Sequence, residues 1–257
     1  MEPIILRIDD IGASSKQFEQ YGKLSVRLFG HEQSLPFMSV GFLKRLPKIS
    51  GWGVYREMAA AEWQAIFDLL KKYDAHLTVC ITAAWTEKDG SLTPFPEKFP
   101  EEAAMLKRGL QDGLIEIGNH GLTHCVVGKH LPRLLSSNRT FHREFWPWLP
   151  ESTLQDHLEK SQKILTDYFG EIITFTPPGN QWTEQTEHFA KAVGIRILSA
   201  SFPNRPKTGA VIWADRHQAV AFHDREIVKH GPKWLEDKLI ELRAKGLRAC
   251  SVKELYG

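Results

Sequence analysis

Little in this chain marks it for an oxidising compartment, a membrane or a nucleic acid. Cysteine is scarce: three in 257 residues, Cys80, Cys125 and Cys250, an odd number lying in or beside apolar runs. That excludes a disulfide framework and predicts reduced, buried thiols. Cys125, next to His124, is read as buried rather than as a ligand. No apolar run approaches the length of a membrane span. Met1-Glu2-Pro3 leads straight into a strand-like segment, without the basic and apolar regions of a signal peptide. A cytoplasmic location is the expectation. Neither sign of charge prevails, and a net +2 gives no ground for a nucleic acid or a membrane surface as partner. A Gly-rich dinucleotide or phosphate fingerprint after the first strand is also missing, which counts against an open doubly wound sheet.

What is present is the make-up of a folded α/β protein. Apolar residues are 42% of the chain and charged residues 25%, enough for a core and suited to one large domain or two small ones. The patterning predicts strands over 4–8, 75–82, 114–117, 172–175, 195–198, 210–213, 219–222 and 248–252. Trp63, Ile66, Phe67 and Leu70 fall at i, i+3, i+4 and i+7 in a helix over 58–73. Further helices are predicted over 101–111 and 184–193, and from Pro232, with Leu235, Leu239 and Leu242 inward. Ser152 and Gln155 have the spacing of a capping box opening another helix, with Leu154, Leu158 and Leu165 as its stripe and Gly170 as its stop. About seven or eight short strands with helices between most of them predict a parallel (β/α) barrel, one domain over 1–257.

Two long stretches, 13–57 and 125–151, break the alternation. The second carries Lys129, His130, Arg133, Arg139, His142 and Arg143, then Phe145-Trp146-Pro147-Trp148. Such loops form lids and binding walls, here for an anionic or sugar ligand, or else are solvated surface excursions.

Asp9 and Asp10 follow the first apolar run. Two adjacent carboxylates at the end of a buried strand are costly without a compensating charge, and a divalent metal supplies one. After the run 114–117 comes Asn119-His120-Gly121-Leu122-Thr123-His124. One Asp with two His is a donor set for Zn²⁺ or a similar first-row ion that keeps a position open for water. Each feature alone is weak, since an Asp pair also serves turns and helix caps, and two of 11 histidines often fall four apart by chance. Their shared placement links them, because the active site of a parallel barrel lies at the C-terminal ends of its strands. Pro177-Pro178-Gly179 and His223-Asp224 fall on the same predicted rim. Alternation along a strand points Asp9 and Asp10 opposite ways, so one ligates and the other acts as a base.

In these residues the chain resembles the polysaccharide deacetylases, carbohydrate esterases that include chitin and peptidoglycan deacetylases. RIDDIG resembles the family's first motif, LIEIGNHGLTH its second, FTPPGNQW its third and VAFHDREI its last. LLKKYDAHLTVCI and LIELRAKGLRACSVKEL are similar to its connecting and closing segments. The resemblance implies a metal held by Asp10, His120 and His124, most simply Zn²⁺, with Co²⁺, Ni²⁺, Mn²⁺ or Fe²⁺ as alternatives. It implies Asp9 as general base, His223 as general acid protonating the departing amine, and the Gly179 N–H as oxyanion donor. Trp182 is a candidate for stacking on a sugar.

Three departures stand out. Asp-Asp-Gly-Pro is Asp-Asp-Ile-Gly here. Thr176 stands where the third motif has an Arg, for which Arg7, two residues before Asp9, is a candidate substitute, a core salt bridge being the alternative. The Asp-Trp motif that orients the acid has only Asp215 and Asp224 as candidates. The reaction implied is removal of an N-acetyl group from an amino sugar, in a polysaccharide or a cytoplasmic precursor, with a variant tied to bacterial O-antigen (lipopolysaccharide) synthesis in view. The alternatives are a deformylase or other C–N hydrolase, and a non-catalytic sugar-binding protein.

Overall fold

The computed structural model describes residues 1–19, 25–28, 31–34, 56–131, 141–200, 212–215 and 219–257. Its centre is an eight-stranded parallel sheet curled into a half-barrel with helices against its outer face. The strands are β1 (Glu2–Ile11), β4 (Leu77–Ile81), β7 (Ile115–Asn119), β8 (Thr174–Phe175), β9 (Ile197–Ala200), β10 (Ile212–Asp215), β11 (Ala219–His223) and β12 (Leu247–Cys250). Their order is β10-β9-β8-β7-β4-β1-β11, with β12 also on β1. Outside this sheet stand the hairpins β2 (Ser25–Leu28) with β3 (His31–Ser34) and β5 (Ala84–Thr86) with β6 (Leu92–Pro94), and the short helices α1 (Ser15–Glu19) and α3 (Phe95–Lys98). Ile5 pairs with both Ala219 and Cys250, so β11 lies along one edge of β1 and β12, then β4, along the other. Among the described residues no ladder joins β10 to β11. The predicted parallel barrel is therefore present, with an open seam.

The helices that cover the sheet form where the apolar periodicity places them. Trp63, Ile66, Phe67 and Leu70 of α2 (Ala60–Tyr73) and Ala103 and Leu106 of α4 (Pro100–Gln111) are buried. They pack on Leu6, Ile8, Leu77, Val79, Ile115 and Ile117, the outward positions of β1, β4 and β7. The alternate residues turn inward, and that inner layer is polar. Thr78 and Thr174 donate to the buried Glu116 carboxylate, as does the Lys253 N–H at 2.7 Å, from a short helix over Val252–Tyr256 that stops one end of the half-barrel. Burial pushes the Glu116 carboxyl up. Ile5, Ile173, Ile197 and Val252 form the apolar part of this plug.

Several boundaries differ from expectation. β1 runs on through Asp9 and Asp10 to Ile11, so the pair lies inside the strand rather than after it. Ser152 is not a cap: Pro150 holds the cap position of the helix Glu151–Phe169, with no side-chain capping bond, while Gly170 ends it at φ 92° as predicted. The Pro-rich segment folds as a hairpin, Ala84–Thr86 against Leu92–Pro94, and a short helix Phe95–Lys98. The chain closes on a helix, not on a strand. The stretch 13–57 contains a short helix (Ser15–Glu19) and an antiparallel hairpin, Ser25–Leu28 with His31–Ser34. The rest of that stretch up to residue 55, and Arg133 and Arg139, lie outside the described residues.

Candidate metal centre

The parallel register brings the motif residues level at the C-terminal rim. Asp9 pairs with His223 across β1 and β11, Ile81 with Asn119 across β4 and β7, and Asn119 with Phe175 across β7 and β8. Asp9 and Asp10 do not simply alternate. The β1–β4 register shifts between Ile8 and Ile11, and Asp10 takes φ 67°, a left-handed conformation that an Asp tolerates better than most residues. The kink lets both carboxylates serve one site.

Asp10 Oδ1 lies 3.2 Å from His120 Nε2 and 3.2 Å from His124 Nε2. The three side chains are buried, and their donor atoms fall within 4.8 Å of one another. Each imidazole is fixed through its other nitrogen. His120 Nδ1 donates to the Thr176 carbonyl at 2.6 Å, which fixes the ring with Nε2 toward Asp10. Ser15 Oγ is 2.8 Å from His124 Nδ1. One carboxylate and two oriented imidazoles suit a divalent first-row ion with positions left for water or substrate, so the residues present fit the implied metal. Burial pushes the Asp10 carboxyl up, but His223 and His124 outweigh it and hold it well below the usual range.

Asp9 is held differently. Arg7, inward on the same strand, donates from Nη2 to Asp9 Oδ2 at 2.9 Å, and its Nε stands 2.8 Å from Oδ1 in ion-pair contact. Nη1 reaches across the half-barrel to Ser199, donating to its carbonyl at 3.0 Å and its hydroxyl at 2.5 Å. Against the cost of burial, Arg7, with His120 and His223, keeps the Asp9 carboxyl below its ordinary range and therefore ionised. Thr176, at the third-motif position, offers no positive charge, and the guanidinium beside Asp9 comes instead from Arg7.

His223 ends β11 with its side chain about a third exposed, Nε2 lying 3.8 Å from Asp10 Oδ2 and Nδ1 3.8 Å from Glu226 Oε2. Asp224, one of the two sequence candidates for its orienting acid, is engaged elsewhere. Asp224 turns to Lys16, whose Nζ is 2.5 Å from Asp224 Oδ2 and 3.0 Å from Glu57 Oε1. Burial pushes the Asp224 carboxyl up to about 7 even with Lys16 beside it, because one ammonium serves two carboxylates. Of Asp215, only its place at the end of β10 is described.

Pro177 and Pro178 lead into Gly179 at φ 58°, where an added Cβ would meet the Arg143 side chain at 2.5 Å. The turn's hydrogen bonds run from Asn180 to Pro177 and from Gln181 to Pro178, bypassing the Gly179 N–H. Trp182 is a correction: only 1% exposed, it fills the interior and presents no face to a sugar. Cys125 is buried beside Thr86, as expected, with its thiol pushed up to about 12 by burial. All three cysteines are free and buried.

Sequence reasoning missed Glu144, which lies in the long 125–151 stretch and is fully buried. Its carboxylate accepts the N–H groups of Leu122, Thr123 and His124, at 2.7, 2.8 and 2.5 Å, and contacts His157 Nδ1 at 3.1 Å. Ser15, Lys16 and Glu226 were missed as well. Glu226 stands three residues after His223, a capping-box spacing at the start of the helix Asp224–His230 that could have flagged it; Ser15 and Lys16, in the short helix Ser15–Glu19, and Glu144 carry no such spacing.

No helix among the described residues is long and apolar enough to cross a membrane. No curated protein matches the chain in sequence. Among solved structures, a family 4 acetyl xylan esterase from Clostridium thermocellum, in complex with a cobalt ion, is similar in fold. It is 14% identical with a TM-score of 0.50, and 78% of this chain and 86% of that one are covered. A CE4 family pseudoenzyme from Bacillus anthracis is 15% identical with a TM-score of 0.49, over 77% of this chain. The chain spans 61% of that protein's length. The family model described as polysaccharide deacetylase matches residues 55–198, more than half of the chain and inclusive of both site histidines. Asp9, Asp10 and His223 lie outside that span and join it through β1 and β11. The chain belongs to the polysaccharide deacetylase family.

Proposed function

We propose that this protein is a metal-dependent N-deacetylase acting on an amino sugar, within a polysaccharide or a precursor of one. The observation that carries the reading is the convergence of Asp10, His120 and His124 on one point, with Asp9 and His223 facing each other across adjacent strands beside it. Asp10, His120 and His124 would hold a divalent ion, most simply Zn²⁺. When bound, such an ion polarises an amide carbonyl and acidifies water.

The chain's own groups supply the proton traffic. Asp9, kept ionised by Arg7 and outside the ligand set, accepts a proton from the attacking water. The Gly179 N–H donates to the oxygen that gains charge as the carbonyl is attacked. His223 is accessible from solvent and donates a proton to the amine nitrogen as the C–N bond breaks. The products are acetate and a free amino sugar, so atoms and charge balance with one water consumed.

The test is acid release from N-acetyl and N-formyl amino sugars and short glycans by Zn²⁺- or Co²⁺-loaded protein, with His120→Ala as control. Acetate released by the wild type alone supports the reading. Formate in place of acetate moves the assignment to a deformylase, and glycan binding without release of either acid contradicts it.

A further inference from the structure

The loop from Gly121 to His124 carries one metal-ligand histidine and follows the other, yet it has no regular secondary structure to hold it. We propose that Glu144 is the positioning residue of this loop, setting the two imidazoles through its backbone; the inference rests on the metal-site reading above. Three consecutive N–H groups, of Leu122, Thr123 and His124, point at one carboxylate, and the Thr123 hydroxyl adds a long contact at 3.4 Å. Such a convergence of N–H groups is an anion-binding concavity, here filled by the protein's own side chain. Gly121 fits this arrangement: at φ 81°, an added Cβ would stand 2.8 Å from the Glu144 carboxylate. The Gly121 N–H is taken by Asn119 Oδ1 at 2.8 Å, so the acceptors are shared along the loop.

The carboxylate needs a counter-charge, because it is buried on all sides. His157, one helical face of Glu151–Phe169, supplies it. Burial pushes Glu144 up and His157 down, but the contact between them, joined on the acid's side by the Leu122 and Thr123 N–H groups, outweighs it, lowering the acid and raising the imidazole. The pair thus ties the ligand loop to a long helix packed on β7. Phe145, the next residue, is anchored against Phe175 with ring centroids 5.3 Å apart, so the segment bearing Glu144 is itself fixed in the core.

Glutamine at this position replaces an acceptor oxygen with an amide that faces N–H donors, which breaks the cradle without changing volume. The experiment measures the Co²⁺ and Zn²⁺ affinity of wild type, Glu144→Gln and His157→Asn by competition with a chromophoric chelator. Hydrogen exchange of the Leu122, Thr123 and His124 amides is followed in the metal-free proteins. We expect Glu144→Gln to bind metal about 10- to 100-fold more weakly. Its three loop amides should exchange faster while amides of β1 and β4 keep their protection. His157→Asn, which leaves the carboxylate in place, should lose less in the same direction, and it carries the test if Glu144→Gln does not fold. A wild type that binds, beside variants of equal affinity and unchanged loop exchange, overturns this inference alone. A wild type that takes no ion overturns the metal reading and this inference with it.

Discussion

A buried carboxylate keeps its charge only where something nearby holds it, and Asp9 has Arg7 for that purpose. The guanidinium itself is anchored across the half-barrel by Ser199, so the pair is rigid as well as charged. Removing one partner of a buried ion pair costs about 3–5 kcal/mol, because the other is left uncompensated. Arg7→Met should destabilise the protein by about that amount. Combining it with Asp9→Asn should cost less than the sum of the single changes, a coupling that urea denaturation of the four proteins measures. Simple additivity would mean that the two groups do not support each other. Residues with distinctive side-chain chemistry, such as Asp10, His120 and His124, were legible in the sequence for that reason. Glu144 and Lys16 were not, since an isolated acid in a basic aromatic stretch, or a lysine in a long loop, declares nothing until the chain closes around it.

At the scale of elements, the inner layer of the sheet explains both what could and what could not be read. The outward positions of β1, β4 and β7 and the stripes of α2 and α4 are apolar and periodic, so the elements themselves were predictable. The inward positions mix Thr78, Glu116 and Thr174 with Ile5 and Ile197, which hides where strands end. The kink at Asp10 was invisible for another reason: it depends on a register shift, not on composition. Glu116 gives this layer a measurable pH signature. Its carboxyl is raised by burial in the folded state, so its contribution to stability is complete below the unfolded value, about 4.3, and is lost as pH rises through the folded value. Glu116→Gln removes that loss. The Tm of Glu116→Gln relative to wild type should therefore climb between pH 4 and pH 7, and a difference that stays flat would show that the carboxyl is not raised.

Across the whole molecule, the site is assembled from strands far apart in sequence. Asp9 and Asp10 come from the first strand, the histidines from the middle of the chain, and His223 from near its end; the parallel register brings the strands level, and the loop after β7 carries His124 onto the same rim. The rim was legible because a parallel barrel has only one face where such residues converge. The wall around it was less so, and Trp182, a candidate in the sequence for stacking on a sugar, belongs to the core. The division of labour between the two adjacent aspartates is the feature on which the proposed chemistry turns. Metal content and acetate release should be measured side by side for wild type, Asp9→Asn and Asp10→Asn after loading with Zn²⁺. Asp9→Asn should retain near-stoichiometric metal and release no acetate, while Asp10→Asn loses both. An Asp9→Asn protein that loses its metal as completely as Asp10→Asn, or that turns over at the wild-type rate, would contradict the assignment.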